Sequence, residues 1–449
     1  MIDYLKSLNI HQYDCELIDI RIEEEKPFDL SYYQKELYNF SHEEKKGAFI
    51  RVYANKKWYF SSTTNINNIE NEIHTLLKTA KISLDKNNKS IEYKEHSFKT
   101  IKDDFTFHLS KEEKMAFLQP IREIIENDPQ VVTPYISWSD RVNAKYYINN
   151  KGIVYYYDKG FSGVLASITL VQDKEIFRSS FYKTVQRKED FGDILQDFKE
   201  ELEEGKLFLN APVIEPGQYP VVMSPDVAGV FAHESFGHKS EADFMLGDET
   251  MKQEWEIGKK VGSDILSIVD CGLESDTTGF CPIDDEGVES HKTYLIKNGI
   301  LTGRLHSKET ADTLQENTTG NARAIDFTFE PIVRMTSTYI EAGDLTFDEL
   351  IKPIENGYFL KTLIHGSGMS TFTMAINKAY KIENGKIAHP VKINMATGTV
   401  FETLFDIDGL SNKVQIKSSI LGGCGKNEQW PLPVSFGGPY VRIKKLNLS

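Results

Sequence analysis

The sequence predicts an α+β protein of two domains, an α/β domain over residues 1–212 and a β-rich, barrel-like domain over residues 213–449. Three observations carry this prediction. The chain has 449 residues, above the length at which a single hydrophobic core stops growing. Up to residue 208 the apolar pattern switches between the period of a strand and that of a helix. A cluster of punctuating residues, Leu209-Asn210-Ala211-Pro212-Val213-Ile214-Glu215-Pro216-Gly217, then breaks the pattern, and one helical segment beyond it leads into a long strand-like stretch.

Taken in order, residues 15–23 and 48–63 alternate apolar and polar side chains as half-buried strands do, whereas Ile69, Ile73, Leu76, Leu77 and Ala80 recur at helical spacing. Ser110, followed by Glu112 and Glu113 and by Met115, Leu118, Ile121 and Ile125, reads as a capped amphipathic helix ending near Asn127-Asp128-Pro129. Four short strands are predicted next, at residues 131–137, 144–148, 154–157 and 165–171, with Asn149-Asn150-Lys151-Gly152 as a hairpin turn. Residues 190–208 read as a helix. Beyond the break, residues 293–304 and 379–390 each hold an Asn-Gly between strand-like residues, the strongest short-range hairpin signal. A curved or barrel-like sheet is the simplest architecture for such a helix-poor region.

Composition excludes several function classes. Hydrophobic residues make up 40% and charged residues 27% of the chain, proportions of a globular protein rather than a disordered or fibrous one. The start, MIDYLKSLNIHQYDCELIDIRIEEE, lacks a basic n-region, an apolar h-region and a small-residue cleavage site, so export is not expected. No apolar run approaches the roughly 18 residues needed to span a bilayer, and a soluble, cytoplasmic protein without membrane contact is expected. Four scattered cysteines suggest reduced thiols rather than a disulfide framework. A net charge of −15 repels a phosphate backbone, and no basic stripe offsets it, so direct nucleic-acid binding is not expected.

The chemistry concentrates after the break. Residues 220–223 read as a short strand, Ser224-Pro225-Asp226 as a helix start, and the helix continues as VAGVFAHESFGH through His238. A His-Glu pair with a second His one turn later is the device by which zincins hold zinc through both imidazoles while the Glu deprotonates water. Here the spacing is one residue longer. Positions five apart on an ideal helix lie about 140° apart, so His233 and His238 face one metal only if the helix is distorted. A π-bulge brings such positions onto one face; alternatively Gly237 lets the helix end there. Taken alone the motif is weak, since two histidines at this spacing in an arbitrary chain are more often ordinary residues, one packed and one exposed.

Catalytic zinc takes three protein ligands and keeps a position for water. Cys424 is the first candidate for the third ligand, because Gly422, Gly423 and Gly425 around it permit unusual backbone angles and close approach. A small residue buried in a tight bend is the competing reading. Cys271 and Cys281, in SIVDCGL and TTGFCPI, read as packing residues, with a local metal pair as the lesser alternative. Asp284-Asp285-Glu286-Gly287 reads as a solvated acidic turn and is assigned no metal.

The segments HESFGHKSEADF, PIDDEGVESHKTYLIKNGILTGRLHSKETA, GNARA, PIVRMTSTYIEAGD, YKIENGKIAHPV and GGCGKNEQWPLPVSFGGPYVRI resemble, in order, the blocks of the TldD/PmbA metallopeptidase family. The resemblance covers essentially all of the chain after Pro216 and, more weakly, the region from Val131. It implies zinc held by His233, His238 and Cys424, with Glu234 as general base, in the metal-carrying branch of the family. It further implies a two-domain protein that cleaves short or unfolded peptides and dimerises with an identical chain or with a relative that lacks the motif. Where the family tends to read Cys-Gly-Lys-x-Gly-Gln, this chain has Cys424-Gly425-Lys426-Asn427-Glu428-Gln429, with Glu428 replacing a glycine. Zinc with two neutral imidazoles and one thiolate carries a formal charge of about +1, and Glu234 would take a proton from water and deliver it to the leaving amine. Arg323 is a candidate for substrate binding and oxyanion stabilisation, and His291 and His365 for the latter; each also reads as an ordinary structural or surface residue. A β-rich domain could hold an extended peptide by strand addition. The competing function is a non-catalytic, peptide-binding or regulatory subunit with a structural zinc.

Overall fold

The computed structural model describes residues 1–83 and 90–449. The N-terminal part is built on a nine-stranded, mostly antiparallel sheet whose centre is formed by the strands Leu17–Glu25, Lys45–Ala54, Tyr135–Asn149 and Ile153–Gln172. The alternation legible in Leu17-Ile18-Asp19-Ile20-Arg21-Ile22-Glu23 sorts the sheet into two faces. Ile18, Ile20, Ile22, Ile50, Val52 and Ile148 point to one face and pack under the helix Ile69–Thr79. Further along that face Trp138, Val164, Ala166 and Ile168 pack under the helices Lys111–Asn127 and Ile194–Leu207. The cap expected at Ser110 forms, its hydroxyl accepting from the Glu113 N–H while the Glu113 carboxylate accepts from the Ser110 N–H.

Four short strands were expected between residues 131 and 171; two long ones, Tyr135–Asn149 and Ile153–Gln172, are found. The polar residues that look like breaks are paired inside the protein. Asp140, only 2% exposed, accepts from the Trp138 indole (2.7 Å), the Ser162 hydroxyl (2.6 Å) and the Lys114 ammonium (2.6 Å), so the strand runs on through Ser139-Asp140-Arg141.

The opposite face of the sheet carries Asp19, Arg21, Glu23, Arg51, Lys145 and Tyr147, all buried. What covers them is the segment read as a solvated acidic turn. That reading is corrected: Asp284, Asp285 and Glu286 are 0%, 2% and 4% exposed. Asp285 pairs with Lys145 (2.8 Å) and Arg21 (3.4 Å), Glu286 pairs with Arg51 (3.2 Å), and the Tyr147 and Tyr155 hydroxyls donate to the carbonyls of Glu286 and Asp284. Asp285 and Glu286 meet the cations of a distant sheet, while the Asp284 carboxylate accepts the N–H groups of Glu286, Val288 and Ala322, partnerships that local sequence cannot display.

The C-terminal part contains the expected barrel. The strands Gly217–Met223, Asn356–Gly368, Thr371–Glu383, Met395–Thr399 and Val441–Leu448 pair in a closed ring of five, parallel only between the first two. Both Asn-Gly hairpins form, Asn298-Gly299 and Asn384-Gly385 taking positive φ angles. A six-stranded sheet that includes Ile268–Cys271, Ser337–Ile340 and Ser435–Gly438 lies alongside. The helix Pro225–Ala232 runs between barrel and sheet, with Val227, Ala228, Phe231 and Ala232 in the shared core. No helix among the described residues is long and apolar enough to cross a membrane.

Candidate metal centre

The helix that carries the histidines starts where the sequence places it. The Ser224 hydroxyl accepts from the Val227 N–H, and Pro225 occupies the first turn, where its missing N–H is not needed. At residue 233 the winding loosens into a π-turn, His233–Gly237, the distortion that a five-residue spacing demands. The two imidazoles consequently face each other, with ring centroids 5.0 Å apart. Gly237 lets this turn press on its neighbours, since a Cβ there would lie 2.0 Å from the buried sulfur of Met335.

Cys424 arrives from a chain segment 186 residues further on, in the hairpin of Cys424–Lys426 with Gln429–Leu432, and its Sγ lies 3.4 Å from His238 Nε2. One donor atom each from His233, His238 and Cys424 lies within 4.8 Å of the others. Nitrogens and a sulfur around tetrahedral zinc stand about 3.3 to 3.7 Å apart, so only a small contraction separates this cluster from a bound geometry. The donor chemistry also fits: His233 Nδ1 is buried with no hydrogen-bond partner among the described residues. None of the glycines around Cys424 takes a positive φ, and it is Gly423 that acts by close approach, since a Cβ there would meet the Leu432 carbonyl oxygen at 2.3 Å.

Charged groups behind the cluster fix it. Glu241, wholly buried, accepts from His238 Nδ1–H at 3.1 Å, which turns Nε2 toward Cys424. Lys426 binds the same Glu241 oxygen (3.1 Å), Asp243 (2.7 Å) and the Val333 carbonyl (2.9 Å), tying the hairpin to the histidine segment. The fully buried Arg334 donates to the Cys424 carbonyl at 2.6 Å. Burial alone would push the Cys424 thiol up, but the two imidazoles outweigh it and hold the group at about 5, as a thiolate at neutral pH. Burial likewise opposes charge on His238, and its hydrogen bonds to Cys424 and Glu241 override that, raising it to about 10. Both shifts favour the thiolate form of Cys424, the form in which cysteine binds a metal.

Glu234 follows His233 but stands apart from the His233, His238 and Cys424 cluster. Its carboxylate is 4.0 Å from His238 Nε2 and its side chain 25% exposed. Gly366 of the barrel makes room for it, since a Cβ there would come within 3.2 Å of the Glu234 Cγ.

The remaining candidates fall elsewhere. Arg323 is buried, its guanidinium donating to the carbonyls of Met335 and of Pro433 (2.7 Å). His365 is exposed on the strand that carries Gly366, and strand alternation points it away from Glu234. His291 is exposed. Cys271 and Cys281 are buried, and neither joins a metal-binding group among the described residues. Sequence reasoning missed Glu241, Lys426 and Arg334. A carboxylate three residues after a candidate ligand histidine was a readable signal for the first; the other two depend on a fold that brings residues 334 and 426 to the helix.

The family models for the PmbA/TldA metallopeptidase C-terminal domain and for domain 1 match residues 216–449 and 18–83. A metalloprotease of Synechocystis sp. is 39% identical over 53% of this chain and 51% of its own, and a metalloprotease of Methanothermobacter thermautotrophicus is 40% identical over 51% and 49%. The chain thus spans about half the length of these curated relatives. A zinc metalloprotease TldD homolog of Saccharolobus solfataricus is 29% identical over 91% of both chains. Among solved structures, TldE from Thermococcus kodakarensis shares the fold with a TM-score of 0.78 at 15% identity, covering 100% of this chain and 99% of that one.

Proposed function

The chain belongs to the TldD/PmbA metallopeptidase family, and from that premise we propose that it is a zinc-dependent peptidase with His233, His238 and Cys424 as ligands and Glu234 as general base. One observation carries the reading. Three donor atoms from His233, His238 and Cys424 meet within 4.8 Å, while the Glu234 carboxylate sits beside the group at 4.0 Å from a donor nitrogen. Zinc, when bound, supplies a Lewis acid that acidifies water and polarises a carbonyl. The protein's own residues supply the rest. His238, oriented by Glu241, and the Cys424 thiolate, braced by Arg334, fix the position of the ligand atoms. In this reading Glu234 takes a proton on its carboxylate and returns it to the leaving amine, which requires hydrogen-bond reach rather than ligation.

Substrate and assembly rest on the family. Short or unfolded peptides are the proposed substrates, and a second chain, identical or lacking the histidine motif, is the proposed partner in the cytoplasm. Light scattering on the purified protein checks the assembly. Hydrolysis is checked with an unstructured fluorogenic peptide. Glu234→Gln is expected to keep its zinc and lose at least about 100-fold in kcat. Undiminished cleavage by that variant would remove the general base, and absence of cleavage by zinc-loaded wild type would leave the peptide-binding subunit as the function.

A further inference from the structure

A cavity of about 390 Å³ lies between the charged face of the N-terminal sheet and the C-terminal part, beside the Cys424 hairpin, with Gly422, Pro431 and Leu432 in its wall. Two cations in it have no carboxylate partner among the described residues. Lys159 donates to the carbonyls of Thr278 and Phe280, both at 3.0 Å. Arg323, 4% exposed, donates to the carbonyls of Met335 and Pro433. An ammonium has three N–H donors and a guanidinium five, so both cations retain donors beyond these carbonyls.

All but one of the acids nearby are committed elsewhere. Asp285, whose charge acts on Lys159, is shared by Arg21, Lys145 and the Ala324 N–H. In the cavity wall Asp29 pairs with Arg141, Glu43 pairs with Lys45, and Asp326 accepts from Thr328. Glu25 has only the Asn143 amide as a side-chain partner among the described residues, and burial followed by the charge of Glu23 pushes its carboxyl up to about 7. Buried positive charge without an anion is costly, and adjacent Lys and Arg with free donors suit a planar, bidentate anion. Tyr157, Phe161 and Ile420 supply apolar wall beside them.

We propose that this cavity is a carboxylate-binding site in which Lys159 and Arg323 hold the anion. Burial, and then Arg323, push the Lys159 ammonium down to about 7, as befits a cation awaiting its counter-ion. The carboxylate is either that of a small free acid or the terminal carboxylate of a peptide lying along the hairpin. The latter would add carboxy-end selectivity to the proposed peptidase, though the site itself does not depend on that reading.

Calorimetric titration separates these cases. The probes are succinate and trialanine as free acid and as C-terminal amide, against wild type, Lys159→Met, Lys159→Arg and Cys424→Ala. Succinate or the free-acid peptide is expected to bind wild type, with Lys159→Met weakening it at least tenfold and Lys159→Arg within a few-fold of wild type. Cys424→Ala, in which the metal centre is broken, should bind as wild type does, so a failed peptidase reading leaves this outcome intact. Binding of succinate alone identifies a free acid as the source; tighter binding of the free-acid than the amide peptide identifies a peptide end. If Lys159→Met does not fold, the acid and amide comparison on wild type and Lys159→Arg still decides. No binding of either carboxylate to wild type, or equal binding of both by Lys159→Met, overturns the proposal.

Discussion

At the scale of single residues, the proposed centre is built from groups behind the proposed ligands as well as from the ligands themselves. Glu241 orients His238 and also holds Lys426 of the hairpin. Glu241→Gln should therefore lower zinc affinity about 10- to 100-fold, read by competition with a chromophoric chelator; unchanged affinity would mean that His238 needs no such support. His233, Glu234 and His238 were legible as a motif because their chemistry is local. Cys424 was legible only as a glycine-flanked cysteine, and its role rested on resemblance. The substitution at Glu428 has a physical reading. Asn427 and Glu428 form the tip of the hairpin with φ of 48° and 65°, a conformation that costs a residue with a Cβ roughly 1 kcal/mol. Glu428→Gly is expected to raise stability by about 0.5–1 kcal/mol in urea unfolding, with no loss of zinc.

At the scale of elements, the informative device is the π-turn His233–Gly237. Spacing alone required some distortion between His233 and His238, and the chain meets the requirement by one extra residue in the turn rather than by ending the helix. The strand Asn356–Gly368 gives the turn its working shape, because Gly366 faces Val230 and Glu234. A methyl group there would lie 2.7 Å from Val230 Cγ1 and 3.2 Å from Glu234 Cγ. Gly366→Ala should displace the carboxylate and reduce peptide hydrolysis about 10- to 100-fold while zinc content stays at the wild-type level; full activity would show that Glu234 tolerates the shift. The long strands through Asp140 were not legible because buried polar residues and turn residues look alike until their partners are known. The Asn-Gly hairpins were legible because the turn needs only its own two residues.

At the scale of the molecule, the two parts meet through charge. Asp19, Arg21, Glu23 and Arg51 alternate with isoleucine and valine, which reads as a sheet with one face in water; that face is in fact covered by Asp284, Asp285 and Glu286. Burial alone would raise the Asp285 carboxyl, but Arg21 and Lys145 outweigh it and hold it at about 2, below its usual 3.8. A folded pKa below the unfolded one contributes stability that is present above pH 3.8 and lost as pH falls through 2, in total about 2 kcal/mol. Asp285→Asn, which also leaves two cations short of a partner, should destabilise the protein by about 3–5 kcal/mol at pH 7 and flatten its acid unfolding between pH 4 and 2; an unchanged urea midpoint would mean that the charges are not coupled. The same long-range closure brings Cys424 across 186 residues to His238, the contact on which the proposed function rests. The measurement that addresses it most directly is the zinc content, by elemental analysis, of wild type and Cys424→Ala purified without chelator. A three-ligand centre gives about one zinc per chain in wild type and almost none in the variant, whereas equal zinc in both would contradict ligation by Cys424 and with it the proposed site.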